Sequence, residues 1–146
     1  MESTALRIRE IVASAKSELL KITPESAGQK INATTWSKKE ILGHLIDSAS
    51  NNHQRFVRAA QNDALDFPAY NQNEWVTVQC YNEMNWFELI NLFALYNVHL
   101  SRIIEYFSPD ALNNLCNIGK EKPVTLEYVI DDYVAHLEHH IEKILE

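Results

Sequence analysis

The apolar residues of this chain recur every three or four positions in four long segments, and this helical period most constrains its fold. In none of these segments do apolar and polar residues alternate over a length typical of a strand. Only 3 Gly and 4 Pro interrupt the sequence, which favours long helices over a β fold with many turns. The chain is therefore predicted to be all-α.

Capping residues set the expected bounds of the first two helices. The first is predicted from about residue 3 to residue 21, shortly before a proline that ends it. The second begins at Ser37, which forms a capping box with Glu40 three residues later, and extends to about Gln61. This capping box is the best-marked helix start in the sequence.

The last two helices follow a connector, residues 62–81, that is too long for an ordinary bundle turn. The third helix is predicted over about 85–107, and Thr125 caps a fourth that runs to the C-terminus. Four amphipathic helices can bury their apolar stripes as a four-helix bundle, and 146 residues are the size of one domain. A single four-helix-bundle domain, 1–146, is therefore expected, with the second and third helices parallel because the long connector can cross the bundle.

Charge and cysteine content argue against several classes of protein. The chain has 20 acidic and 13 basic residues, and its net charge of -7 has the wrong sign for neutralising nucleic-acid phosphates. No segment has the length of a membrane span or the apolar core of a signal peptide. Cys80 and Cys116 are isolated, which argues against a disulfide framework or a zinc knuckle. A cytoplasmic protein with a small-molecule substrate, and with neither nucleic-acid nor membrane partners, is expected.

The closing stretch HLEHHIEKILE places three histidines within five residues of the fourth predicted helix. At about 100° per residue, His136 and His140 fall at the margin of the apolar face, whereas His139 points to solvent. The spacing of four stacks the two inward imidazoles so that both can reach one ion. Packing histidines at a core margin are also compatible with this spacing, so the pair alone leaves metal binding open.

His44, in the second predicted helix, is the candidate for a third ligand. It lies at the edge of that helix's apolar stripe, whereas His53 lies about 180° around the helix from it and His99 has no polar partner at helical spacing. A strip of polar residues follows the same side of the helix: Ser48, Asn51, Asn52 and Arg55. Because burying such groups unpaired costs a few kcal/mol, the strip predicts a pocket or a water-filled cleft.

The histidine pair lacks the signature of a zinc metalloprotease. That signature, HExxH, requires a glutamate directly after the first histidine. Here Leu137 holds the position, and Glu138 points about 160° away from the centre between the two histidines. A protease is therefore not predicted.

Three stretches resemble the DinB family of four-helix-bundle proteins. WSKKEILGHLIDSASNNHQRF is similar to the second helix of that family, DDYVAHLEHHIEKI to its last helix, and YNQNEWVTVQCYNEMNWFELINLFALYNVHL to the region between. The resemblance implies an up-down-down-up bundle with a long connector between helices 2 and 3, and it implies a homodimer. It also implies that His44, His136 and His140 bind a divalent metal, commonly zinc or nickel, at one end of the bundle.

The resemblance also directs the functional hypothesis, because several members of the family are transferases or isomerases that use glutathione, mycothiol or bacillithiol. Three histidines without a fourth protein ligand are typical of a catalytic metal, which keeps open positions. The leading hypothesis is a metal-dependent enzyme in which a low-molecular-weight thiol, bound as thiolate, attacks a small electrophile. The alternatives are a metal-hydroxide hydrolase and a non-catalytic, metal-stabilised dimeric bundle. Trp75 and Trp86 are candidate surface aromatics for such a dimer, although core or loop packing is the favoured interpretation of both.

Further residues are candidates for supporting roles around the metal. The side chains expected to orient polar groups of a substrate are Arg55, Asn51 and Asn52. Asp47, three residues after His44, and Asp132, one turn before His136, are candidate acceptors that could fix the ring tautomers, although the sequence favours a solvated helix carboxylate for each taken singly. Imidazole suits zinc, nickel, copper and iron alike, so the ligand set does not select the metal.

Overall fold

A computed structural model describes residues 1–61 and 64–146, and four long helices form a bundle in these ranges. The α-helices are α1 (Glu2–Leu19), α2 (Pro24–Gly28), α3 (Lys38–Gln61), α4 (Gln72–Gln79), α5 (Trp86–Glu105), α6 (Pro109–Leu112) and α7 (Leu126–Leu145), with a 3-10 turn at Tyr81–Glu83. The long helices α1, α3, α5 and α7 agree with the four predicted segments within two residues at each end. The all-α, four-helix-bundle prediction is confirmed.

Contacts near the helix ends define the direction of each long helix. The start of α3 touches the residues just before α5, the same region of α3 touches the end of α7, and the start of α5 touches the end of α1. The contacts are Lys39 Nζ to the Met84 carbonyl (2.9 Å), Lys38 Nζ to the Ile144 carbonyl, and Trp86 Nε1 to the Leu19 carbonyl (3.2 Å). Helices α3 and α5 are therefore parallel, and the bundle runs up-down-down-up.

Local capping fixes where the helices begin. The Ser37 backbone amide donates to Glu40 Oε2 (2.7 Å), and the Glu40 amide donates to Ser37 Oγ (3.2 Å), which is the predicted capping box. Thr125 Oγ1 accepts from the Tyr128 amide at the start of α7 (3.2 Å), as predicted. The capping box places His44 in the second turn of α3, close to one end of the bundle.

The connectors contain short elements that the periodicity did not reveal. Strand β1 (Ala64–Asp66) pairs in parallel with β2 (Leu115–Asn117), which pairs antiparallel with β3 (Val124–Thr125). Since β3 leads directly into α7, this small sheet joins the two connectors to the start of the last helix. Residues 62 and 63, with which the predicted connector begins, lie outside the described residues.

The apolar faces of the long helices form one continuous core. Trp86 is 1% exposed, and its indole donates to the carbonyls of Leu19 and Ile22, so it is a core residue. Trp75 on α4 is 37% exposed. Trp86 therefore packs in the core, as the sequence favours, and is not available to a dimer surface. No helix among residues 1–61 and 64–146 has the length and apolar character to cross a membrane.

Candidate metal centre

Three histidines from α3 and α7 converge near one end of the bundle. His44 Nε2 lies 3.0 Å from His136 Nε2, although the two residues are 92 positions apart in the sequence. The ring centroids of His44 and His140 are 4.8 Å apart, and those of His136 and His140 are 4.5 Å apart. One ring nitrogen from each histidine lies within 4.8 Å of the other two. The antiparallel packing of α3 against α7 thus joins the pair on α7 to its partner on α3.

Burial keeps these imidazoles neutral. His44 is fully buried, and its pKa is lowered to about 3 by burial first and then by His136 and His140. Burial and the neighbouring His136 lower the pKa of His140 to about 4, and burial also lowers the pKa of His136. Because a metal binds the neutral form of imidazole, protons do not compete for these nitrogens near neutral pH.

The hydrogen bonding of the cluster fits a divalent metal. His44 Nδ1 and His140 Nδ1 are buried, and neither has a hydrogen-bond partner in the described part of the chain. Nearly all buried polar atoms in proteins are paired, so two such nitrogens on one cluster are unusual. His136 Nδ1 lies 3.4 Å from Ser48 Oγ, which orients that ring. The residues present therefore suit zinc, nickel or a similar ion.

The exposed neighbour His139 does not join this cluster. Its ring lies 5.3 Å from that of His140, but the side chain faces solvent, as the helical angle predicts. His53 and His99 pack against each other on α3 and α5, with ring centroids 5.2 Å apart. The structure thus gives His99 a contact on a neighbouring helix that spacing along its own helix could not reveal.

Asp47 is tied to the turn after α4 and not to the histidines. Its Oδ1 accepts hydrogen bonds from the Tyr81 hydroxyl (2.6 Å) and from Gln79 Nε2 (2.7 Å). Its Oδ2 is buried without a partner among the described residues, and burial raises the pKa of the carboxyl despite the two hydrogen bonds. Asp47 therefore does not fix a histidine tautomer, and its burial also excludes the solvated carboxylate that the sequence favoured.

Gly43 allows Tyr81 to lie directly on the backbone of α3. A Cβ at position 43 would stand 2.2 Å from atoms of the Tyr81 ring, far inside contact distance. From this position the Tyr81 hydroxyl reaches Asp47, one turn farther along α3. The sequence pattern gave no signal of this contact, because an isolated glycine in a helix reads only as a weak helix former.

A cavity of about 200 Å³, here called the polar cavity, opens beside His136. Its lining includes Ser48, Asn52, Arg55, Tyr70, Asp132 and His136. The polar strip predicted from the sequence therefore borders a real cavity. Asn51 is not among its described lining residues, since its side chain turns back to donate to the Asp47 carbonyl (2.9 Å).

Asp132 acts on the cluster through its charge. Its Oδ1 lies 3.8 Å from Lys120 Nζ, and no hydrogen bond to a histidine is found in the described structure. Burial lowers the pKa of His136, and the nearby Asp132 carboxylate opposes that effect. Asp132 is therefore an electrostatic neighbour of His136 at the cavity wall.

A second cavity of about 370 Å³, here called the aromatic cavity, opens beside His140. It is lined by Thr34, Thr35, Trp36, Ile41, Asn73, His140 and Lys143. The ring of Trp36 lies 5.0 Å from that of His44, so it borders both the cavity and the cluster. His136 and His140 are thus each accessible from a different cavity.

Comparison with known proteins places this geometry in context. Residues 2–144 match the model of the DinB superfamily. The structure is similar to that of YfiT from Bacillus subtilis, described as a probable metal-dependent hydrolase with an unusual four-helix bundle topology. The TM-score is 0.86 and the sequence identity is 17%, and the match covers 97% of this chain and 82% of YfiT. No curated protein sequence matches the chain.

A second similar structure is a mycothiol-dependent maleylpyruvate isomerase, at TM-score 0.79 and 14% identity over 98% of this chain. The match covers 60% of the isomerase, so this chain spans about three-fifths of that protein's length. At these identities the two structures show the fold that they share with this chain.

Proposed function

The chain belongs to the DinB superfamily, and from this premise we propose that it is a divalent-metal-dependent enzyme that uses a low-molecular-weight thiol to conjugate or isomerise a small electrophile. The observation that carries the proposal is the convergence of three neutral imidazoles at the wall of a cavity. Three protein ligands leave coordination positions open, as catalytic metal sites require. Zinc and nickel are the ions we propose.

A zinc or nickel ion bound at His44, His136 and His140 would act as a Lewis acid and lower the pKa of a thiol or a water molecule. The chain's own residues would position the reactants. Ser48 holds the His136 ring through the 3.4 Å contact with Nδ1, and the buried His44 anchors the cluster to the core. These contacts keep the ligand nitrogens together before any substrate arrives.

Arg55 is the proposed anchor for an anionic group of the substrate. Its Nη1 lies 3.5 Å from Asn52 Oδ1, which directs the guanidinium along the polar cavity. In the described part of the chain Arg55 makes no salt bridge, so the guanidinium nitrogens that do not face Asn52 are available to a carboxylate. We propose that Arg55 and Asn52 orient the substrate, whereas the position of Asn51 suits packing.

A hydrolase that uses the same three ligands is the second candidate. The polar cavity beside His136 has room for water and a polar lining, which a metal-dependent hydrolase also requires. The description of YfiT as a probable metal-dependent hydrolase also supports this candidate, and the mycothiol dependence of the isomerase supports the thiol reaction.

Metal content tests the site itself. Protein purified without a histidine tag would be analysed for bound metal beside His44→Ala, His136→Ala and the matched control His139→Ala. We expect about one equivalent of zinc or nickel in the parent and in the His139 variant, and large losses in the other two. If the parent holds no stoichiometric metal after incubation with either ion, the proposal fails.

Turnover assays separate the reactions. Conjugation of a small electrophile that needs both metal and glutathione, bacillithiol or mycothiol would support the thiol enzyme. Ester or amide hydrolysis without thiol would support the hydrolase, and metal-linked stabilisation without turnover would support a structural metal. The expected homodimer stays a prediction, which sedimentation of the purified protein would test.

A further inference from the structure

The two cavities beside the histidine cluster differ in chemical character. The polar cavity contains charges of both signs, from Arg55 and Asp132. The aromatic cavity contains the indole of Trp36, the apolar Ile41 and the single charge of Lys143. These linings would recognise different chemical groups.

Helix α7 carries both cavities in sequence along its length. Asp132 and His136 line the polar cavity, whereas His140 and Lys143 line the aromatic one. Eleven residues separate the two charged positions, which is about 16 Å along a helix. The division between the cavities therefore falls at the level of the two histidines.

The start of α4 shows the same division. Gln72 lines the polar cavity, and the next residue, Asn73, lines the aromatic cavity. Two independent elements, α4 and α7, thus pass from one lining to the other at the histidine cluster. A ligand in either cavity would reach a different histidine of the same cluster.

We propose that these cavities are separate sites for the two substrates of the enzyme proposed above, so that both reactants bind at once. The polar cavity takes the amino-acid-like head of the thiol, with its carboxylate on Arg55 and its ammonium on Asp132. The aromatic cavity takes the electrophile, a flat or apolar body that carries a carboxylate for Lys143. This assignment of roles rests on the proposed function.

Cavity size and free charges support the assignment. Typical ligand pockets measure about 300–1,000 Å³, so a cavity of about 200 Å³ suits a small polar head and not a whole substrate. Neither Arg55 nor Lys143 makes a salt bridge in the described residues, and the 3.8 Å contact of Asp132 with Lys120 is loose. Each charge is therefore available to a ligand.

Two probes without a free thiol test the inference on the full chain. S-methylglutathione keeps the free amino-acid head of the γ-glutamyl group and represents the thiol, and phenylacetate represents the electrophile. NMR titration measures the binding of each probe alone and with the other at saturation. We expect both to bind together with nearly unchanged affinities. Arg55→Gln should weaken the binding of S-methylglutathione about fivefold or more and leave the affinity for phenylacetate unchanged, and Lys143→Gln should have the reverse effect.

Competition between the two probes overturns the inference. A variant that weakens the binding of both probes equally also overturns it, as does the failure of either probe to bind at its solubility limit. An unchanged melting temperature of each variant excludes misfolding as the cause of weaker binding. Because neither probe has a thiol, metal content gives a separate result. A parent without metal that binds both probes independently would contradict the proposed function alone, whereas a metal-loaded parent in which they compete would contradict only the two-site inference.

Discussion

Replacing His44 by leucine is expected to stabilise the metal-free protein and to abolish its stabilisation by zinc. His44 is fully buried, and its Nδ1 has no partner among the described residues. A buried, unsatisfied polar group costs about 1–3 kcal/mol, and leucine fills the site without one. Loss of the 3.0 Å contact to His136 opposes this gain by about 1 kcal/mol. The expected net gain is about 1 kcal/mol, or roughly 2–4 °C in melting temperature.

Zinc should make the parent more stable than the His44→Leu variant, which is the reverse of the order expected without metal. At a free zinc concentration about 100 times the dissociation constant, a specific site stabilises the folded state by about 2.7 kcal/mol. The parent should gain this amount and the His44→Leu variant should not. With zinc, the parent should then be the more stable protein by nearly 2 kcal/mol. His139→Leu, at an exposed position, is the matched control and should respond to zinc as the parent does.

The assay is urea unfolding of tag-free protein, followed by circular dichroism in EDTA and again with excess zinc. A His44→Leu variant that is clearly less stable than the parent in EDTA would refute the claim that the unpaired Nδ1 destabilises the folded protein. Equal stabilisation of both proteins by zinc would refute the claim that His44 is a ligand. The two results are independent, so each part of the reasoning can fail separately.

Three further predictions concern the surroundings of the site. Gly43→Ala should lower the free energy of unfolding by about 1–3 kcal/mol, because its Cβ would stand 2.2 Å from the Tyr81 ring, although alanine is the better helix former. Urea unfolding measures this loss. A second substitution, Tyr81→Ala in the same chain, should relieve the clash. Burial raises the pKa of Tyr81 and Tyr133 above the ordinary value of about 10, so the unfolded state loses these protons first. The free energy of unfolding should therefore fall above pH 10 by about 1.4 kcal/mol per pH unit for each tyrosine, and a Tyr81→Phe variant with an unchanged slope would contradict this account. Finally, Arg55→Lys should lower kcat/KM for a thiol with a free carboxylate about tenfold, since an ammonium cannot make the paired contacts of a guanidinium. An unchanged value would argue against Arg55 as the anchor.

The long helices could be predicted from the sequence because the physics that forms them is local. Apolar residues at a period of 3.6 mark the buried stripe, and the cap at Ser37 satisfies amides within the same turn. The inward and outward faces of the histidines on α7 follow from the same rotation per residue. These features need no knowledge of the rest of the chain.

The remaining features depend on contacts between distant segments. Strands β1 and β2 have three residues each, and strands of this length are too short to give a periodic signal. They also pair across about fifty positions of sequence. The role of Asp47 could not be predicted for a related reason: its hydrogen-bond partners, Gln79 and Tyr81, come from a connector without helical or strand period. Sequence reasoning placed Asp47 near a histidine but could not supply the competing partners.

The close approach at Gly43 has a consequence for how this chain can change by mutation. Every single-base change that alters a glycine codon to another amino acid introduces a Cβ, and here that atom would meet the Tyr81 ring. No amino-acid substitution at position 43 that arises by a single-base change is therefore expected to be neutral for folding, whereas many are at an exposed position such as His139. In a library selected for folded protein, variation should be almost absent at position 43, and an alternative residue should become acceptable only after the side chain at position 81 has become smaller.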